Sequence, residues 1–311
     1  MTDLVDELIG QRFGEGGCLV IEKRLGEGGM GAVYKARDEK NDRLVAIKFL
    51  RMDGMADRES ISRFKREGRK FGMLRHPNLV RVYALGREHG RIYIASEFVD
   101  GRNLYEMLTQ EGVFSVEWAV DVVRDCAVAL HVAHENQVIH RDLKPENIMI
   151  RNEDKVVKVL DFGIAKDLDA SIVLTRQGTY IGTPAYSAPE QIRGEEIDHR
   201  ADIFSLGVIL YELLTGQVAF QGRHTTEVLK ATLKESPVPV SRLNESVVNP
   251  VAGLIERMIH KSPRRRPVDM AEVSAECSRL LEALAEGYTE EEKKGIKTVL
   301  KRIFEGWRKG A

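Results

Sequence analysis

The sequence predicts an α+β chain in two lobes, a small β-rich lobe followed by a larger, mainly helical one. Three observations carry that expectation. Segments rich in β-branched and aromatic residues fill the stretch before Gly101, beyond it apolar residues recur at helical spacing, and the glycine-rich and polar strings suited to chemistry fall on both sides of the change. The 311 residues, 43% hydrophobic and 31% charged, supply ample material for a core and suggest about two compact units. Lys and Arg number 47 against 48 Asp and Glu. A formal charge of -1 leaves no overall field to gather a polyanion, which argues against nucleic acid as a partner.

Residues 1–18 read as an N-terminal leader with a turn at Gly14-Glu15-Gly16-Gly17, and 19–99 as the small lobe. Its strands are expected over Leu19 to Leu25, Ala32 to Arg37, Arg43 to Leu50, Val80 to Gly86 and Arg91 to Phe98, with one helix from Arg58 to Leu74. The larger lobe, 100–286, carries a helix with Val116, Ala119, Val120, Val123, Ala127 and Leu130 on one face and Ser115 as its N-cap. Two short strands follow, Ile148 to Ile150 and Val156 to Leu160. Helices resume at Arg200 to Thr215, Thr225 to Lys234, Val247 to His260 and Val268 to Ala285.

The end of the chain, 287–311, sets Ile296, Val299, Leu300, Ile303, Phe304 and Trp307 at helical spacing among basic residues. Such a basic amphipathic helix suits docking on the chain's own larger lobe, on a sister chain or partner, or on an anionic membrane surface. No segment is apolar enough to span a bilayer: the run from Ile203 to Leu214 is broken by Ser205, Gly207 and Glu212. Asp3, Asp6 and Glu7 stand where a signal peptide would be basic and then apolar. Cys18, Cys126 and Cys277 lie far apart without a Cys-x-x-Cys pair, which suits a reduced cytoplasm.

Four strings carry the chemistry. Gly26-Glu27-Gly28-Gly29-Met30-Gly31-Ala32-Val33 lies between two expected strands, so it forms a hairpin flap whose bare backbone amides can approach phosphate oxygens. Val45-Ala46-Ile47-Lys48 puts Ala46 and Lys48 on one strand face, toward that flap. Lys48 can then reach the α- and β-phosphates if a carboxylate holds it extended, and Glu67 on the following helix is the candidate. His140-Arg141-Asp142-Leu143-Lys144-Pro145-Glu146-Asn147 and Asp161-Phe162-Gly163 complete the set. Phosphoryl transfer needs an aligned hydroxyl, cations at the transferring group and metal ions on the β- and γ-phosphates. Asp142 is placed to orient the hydroxyl and accept its proton, Lys144 to reach the γ-phosphate, and Asn147 and Asp161 to hold Mg²⁺.

At these residues the sequence resembles the eukaryotic-type protein kinases, most closely the Hanks-type serine/threonine kinases of bacteria, and the resemblance runs from Leu19 to Leu284. It implies the bilobal protein-kinase fold, ATP and Mg²⁺ as cofactors with Mn²⁺ able to substitute, and proteins bearing Ser or Thr as substrates. By resemblance His140 and Phe162 stack with Phe71 and Val82 in a column joining the lobes, while Val33, Ala46 and Met149 sandwich the adenine. Glu97 to Val99 form a hinge whose backbone bonds the purine. Asp202 anchors the catalytic loop and Arg266 pairs with Glu190. Ser96, just before the hinge, is the gatekeeper, small where the family commonly has a bulky residue. Two departures stand out, Cys18-Leu19-Val20-Ile21 in place of the usual aromatic first strand and Ser187 before Ala188-Pro189-Glu190.

Lys144, with Gly182-Thr183-Pro184-Ala185-Tyr186, resembles the Ser/Thr class. Thr179 and then Thr175 are the expected sites of activating autophosphorylation, with Arg141 as a partner for the added phosphate and a dimer as one way to achieve it in trans. Two other readings are a nucleotide-binding scaffold without transfer and a small-molecule kinase. The presence of Lys48, Asp142 and Asp161 counts against the first, and the Ala188-Pro189-Glu190 segment against the second.

Overall fold

A computed structural model describes residues 7–28, 31–50, 68, 70–162 and 184–286. The small lobe is a six-stranded antiparallel sheet of β1 (Arg12–Phe13), β2 (Leu19–Gly28), β3 (Gly31–Asp38), β4 (Arg43–Leu50), β5 (Val82–Glu88) and β6 (Arg91–Glu97), in the order β1-β2-β3-β4-β6-β5. Alternation along β4 decides which way its side chains point. Val45, Ile47 and Phe49 are buried on one face, which leaves Ala46 and Lys48 to the other.

The buried face of this sheet reaches into the expected leader. Phe13 is fully buried with its ring centroid 4.7 Å from that of Phe49 and 5.7 Å from that of Tyr93, and Leu8 joins the same cluster. Arg12 and Phe13 pair with Val20 and Leu19. The stretch from Leu8 to Cys18 is thus built into the small lobe, because one aromatic at Phe13 is enough to fasten a two-residue strand. Of the helix expected from Arg58 to Leu74, Gly68 and residues 70–73 are helical, and 51–67 lie outside the described residues.

The large lobe begins with β7 (Gly101–Asn103), which pairs with β8 (Ile148–Arg151), itself paired with β9 (Val157–Val159). Only glycine fits at Gly101, since a Cβ there would lie 2.2 Å from the carbonyl oxygen of Ile150. The helices are α1 (Leu104–Glu111), α2 (Val116–Glu135), α3 (Pro189–Arg193), α4 (Arg200–Thr215), α5 (Thr225–Lys234), α6 (Val240–Leu243), α7 (Asn249–Met258) and α8 (Met270–Glu286). α1 starts in a reciprocal cap between Asn103 and Glu106, and α2 starts on the Ser115 hydroxyl, which accepts from the Trp118 amide at 3.2 Å. α4 is apolar almost all round and runs through the centre of the lobe, where Ile203, Phe204, Leu206, Val208, Ile209 and Leu210 are fully buried. No described helix is long and apolar enough to cross a membrane.

A β-bridge ties the lobes where Leu79 lies beside Val159 and the Val80 amide donates to the Val159 carbonyl at 3.0 Å.

Candidate active site

The catalytic loop is held from below by one buried carboxylate. Asp202, in the first turn of α4, accepts from the His140 amide at 2.8 Å, the Arg141 amide at 2.9 Å and His134 Nε2 at 2.7 Å. Burial pushes its carboxyl pKa up, but the hydrogen bonds it accepts from His134 and from the His140 amide outweigh that and hold it below the ordinary range. With both amides fixed, Arg141 adopts φ +61°, a left-handed conformation costly for a side chain of its size. Gln191 Nε2 donates to the Arg141 carbonyl at 2.9 Å and pins the loop from the far side.

Beyond Asp142 the loop closes on itself. Asn147 Nδ2 donates to the Asp142 carbonyl at 2.8 Å, which leaves Oδ1 as the end suited to a cation. The Asn147 carbonyl accepts from the Leu160 amide at 2.8 Å, and the Leu160 carbonyl accepts from His140 Nε2 at 2.7 Å. Asp161 follows directly, again with a left-handed φ of +47°. The paired strands β8 and β9, in register at Ile148 and Val159, therefore deliver Asn147 and Asp161 to the same end of the small sheet.

Across the cleft, Lys48 Nζ lies 2.7 Å from Asp161 Oδ2. Desolvation raises the Asp161 carboxyl, yet the charge of Lys48, its hydrogen bond, and Lys144 beyond bring it below the usual carboxylate range. Glu67, the partner expected for Lys48, lies outside the described residues, as do Gly29, Met30, Gly163, Thr175, Thr179 and Thr183. In the flap, a Cβ built on Gly26 or Gly28 would meet open space. Among the described residues nothing crowds either position.

The residues expected to enclose the adenine stand on neighbouring strands. Val33 is in register with Lys48, and Ala46 with Ser96. Ser96 Oγ lies 3.5 Å from the Ala46 carbonyl, and Met149 sits on β8 opposite Asn103. The Glu97 side chain turns away from this work: its carboxylate binds buried Lys158 at 2.7 Å and accepts from the Arg81 amide at 3.2 Å. Glu97 therefore ties the end of β6 to β9. Sequence reading missed Lys158, because a lone lysine in an apolar strand signals a solvent face. The column joining the lobes is continuous, with ring centroids of Phe71 and Phe162 4.4 Å apart and those of His140 and Phe162 4.6 Å apart.

Among the described residues no three His, Cys, Asp or Glu side chains gather to hold a metal. Asn147 and Asp161 offer oxygen donors alone, and that pair fits a hard divalent cation whose shell is completed by phosphate oxygens and water.

Residues 19–277 match the protein kinase domain. The chain belongs to the protein kinase family. Within it the chain falls in the Hanks-type branch of bacterial serine/threonine kinases. It is 41% identical over 265 residues to the serine/threonine-protein kinase pkn3 of Myxococcus xanthus, which covers 82% of this chain and 48% of that protein. It is 39% identical over 261 residues to the serine/threonine-protein kinase PknB of Mycobacterium tuberculosis, covering 82% and 42%. The chain thus spans less than half the length of these relatives. The crystal structure of the PknI kinase domain of Mycobacterium tuberculosis superposes with a TM-score of 0.67 at 25% identity, covering 84% of this chain and 95% of that one.

Proposed function

We propose that this chain transfers the γ-phosphoryl group of ATP to serine or threonine hydroxyls of proteins, with Mg²⁺ as the metal. The observation that carries the reading is the Lys48–Asp161 ion pair beside a catalytic loop fixed by Asp202. It joins a cation suited to phosphates, a metal-binding carboxylate and the loop bearing Asp142. A bound Mg²⁺ would neutralise charge on the β- and γ-phosphates, with Asn147 and Asp161 as its protein ligands. Asp142 orients the substrate hydroxyl and takes its proton as the new oxygen–phosphorus bond forms and ADP departs. Lys48 aligns the α- and β-phosphates and Lys144 faces the γ-phosphate, while the bare amides of Gly26, Gly28 and Gly31 cover the triphosphate. Val33, Ala46 and Met149 enclose the adenine, and the backbone from Glu97 to Val99 reads its edge.

The test is to incubate the purified chain with ATP, Mg²⁺ and a generic basic protein and to locate phosphate by mass spectrometry. Phosphoserine or phosphothreonine on the protein is expected. ATP bound but not consumed would favour a scaffold, and ATP consumed without protein phosphate a small-molecule kinase. Autophosphorylation at Thr179 or Thr175 belongs to the same reading, with Arg141 as partner for the phosphate. A Thr175→Ala, Thr179→Ala double variant should keep only a small part of the activity. Full activity in that variant would remove both residues from regulation.

A further inference from the structure

A cleft of about 850 Å³ lies on the small lobe, between the helix ending at 73, the turn joining β3 to β4, and β5. None of the described residues proposed to hold the nucleotide, the metal or the hydroxyl lines it. Val82, Ala84 and Leu85 give it an apolar side, and Met73 stands there 71% exposed. A Cβ added at Gly72 would meet nothing within 4 Å, so the helix wall is open at that point.

Arg43, Arg75 and Arg81 line the cleft, and among the described residues no carboxylate does. Each guanidinium is fixed by a contact with the cleft's own walls. Arg75 Nη1 donates to the Gly72 and Leu74 carbonyls at 2.7 Å each, satisfying the helix end and leaving Nε and Nη2 without a bond to a described residue. Arg43 lies 3.5 Å from the centroid of the Tyr83 ring and Arg81 lies 5.6 Å from the same centroid, so these two groups converge on one side chain. Arg43 is already neutralised, because Nε and Nη2 both bind buried Asp38 at 2.9 Å. Arg75 and Arg81 have no such partner: neither makes an ion pair among the described residues. One exposed arginine without a partner is ordinary. Two of them held in a single cleft, beside a third and an exposed methionine, form a concave surface of uncompensated positive charge with an apolar flank.

We propose that this cleft binds a phosphorylated serine or threonine carried on a protein segment, its phosphate facing Arg75 and Arg81 and a neighbouring apolar side chain lying against Met73 and Leu85. Two uncompensated guanidinium groups match the charge of a phosphate monoester, about -1.5 to -2 at neutral pH, better than that of a single carboxylate. Their planar forks also suit phosphate oxygens, which accept two parallel bonds from one guanidinium. The space exceeds what a phosphate alone would fill, and the apolar flank accounts for the remainder. That the carrier is a protein hydroxyl rests on the transfer reading above; the anion site itself does not.

The probes are the peptide acetyl-Leu-phosphothreonine-Leu-amide, its unphosphorylated form and inorganic phosphate, each titrated into the full chain carrying labelled methionine methyls and followed by NMR. Met73 lines the cleft, whereas Met149 stands at the expected adenine site, so the two methyls tell the sites apart. A saturable shift at Met73 is expected, with the phosphopeptide bound at least about tenfold more tightly than either other probe. Both arginine side chains are exposed, so an Arg75→Gln, Arg81→Gln double variant costs no burial, and it should bring the phosphopeptide down to the level of the unphosphorylated form. A Met73 shift that does not saturate, a shift at Met149 alone, equal affinity for any two of these probes in the native chain, or native affinity in the double variant would each overturn the proposal. No ATP is present in the titration, so a failure of phosphoryl transfer would leave its result untouched, and the comparison of probes in the native chain decides the matter without a variant.

Discussion

Ser96 pairs with Ala46 across β4 and β6, and in the proposed nucleotide site its small side chain would leave the back of the purine pocket without a bulky wall. The two side chains best placed by sequence to fill such a recess are engaged elsewhere: Phe71 lies against Phe162, and Met73 is 71% exposed. A purine-like inhibitor bearing an added hydrophobic ring should therefore bind the native chain better than its small parent, and Ser96→Met should reverse that ratio by at least about tenfold. An unchanged ratio would mean that the recess is absent. A second residue-scale outcome concerns acid. His140 is fully buried and neutral, and burial keeps its pKa below the ordinary value of 6.5 despite Asp202 and the other acids near it. The unfolded chain takes up a proton near that ordinary value and the folded chain does not, so the stabilising contribution is complete above it and is lost as pH falls through it toward the folded value. Urea midpoints should fall between about pH 7.5 and 5.5. Asp202, depressed in the folded state, contributes throughout that interval, and its share goes only at lower pH. A flat midpoint would contradict the placement of His140. The proposed site could be read from the sequence because its residues follow one another along the chain in the order the chemistry needs. Lys158 could not be, because the reason it is buried is Glu97, sixty-one positions away.

At the scale of elements, α3 and α4 are joined to the segment after α7 by Arg266, whose guanidinium makes two bonds to Glu190, at 2.6 and 2.8 Å, and one to the Arg200 carbonyl at 2.9 Å. Both side chains are almost completely inaccessible. Removing one charge leaves the other buried without its partner, so Glu190→Gln should cost about 3 to 5 kcal/mol in chemical denaturation. Replacing both residues with apolar ones should cost less than the sum of the single changes. A loss below about 1 kcal/mol would show that the pair is solvated. Element-scale reading succeeded where the apolar pattern ran long, on one face in α2 and almost all round in α4. It passed over α1 and α3, which have eight and five residues. Their faces are too short to show a period, and α3 is set by Pro189 and by its contacts, not by its pattern.

For the molecule as a whole, the leader boundary was the least legible feature. Phe13 joins the core through β1, a strand of two residues, and only the completed sheet gives it a partner. The hydrophobic period changes near Gly101, where β7 begins. The central claim is that the two lobes, joined through Leu79 and Val159 and through the Phe71, Phe162 and His140 stack, close on one phosphoryl-transfer site with Asp142 as its base. The most direct measurement is turnover of Asp142→Asn on a protein substrate at saturating MgATP, with nucleotide affinity determined on the same sample. The account expects turnover to drop by about 10² to 10⁴ with ATP affinity within a few-fold of the native chain. Native turnover in Asp142→Asn, or a loss of ATP binding as large as the loss of rate, would contradict it.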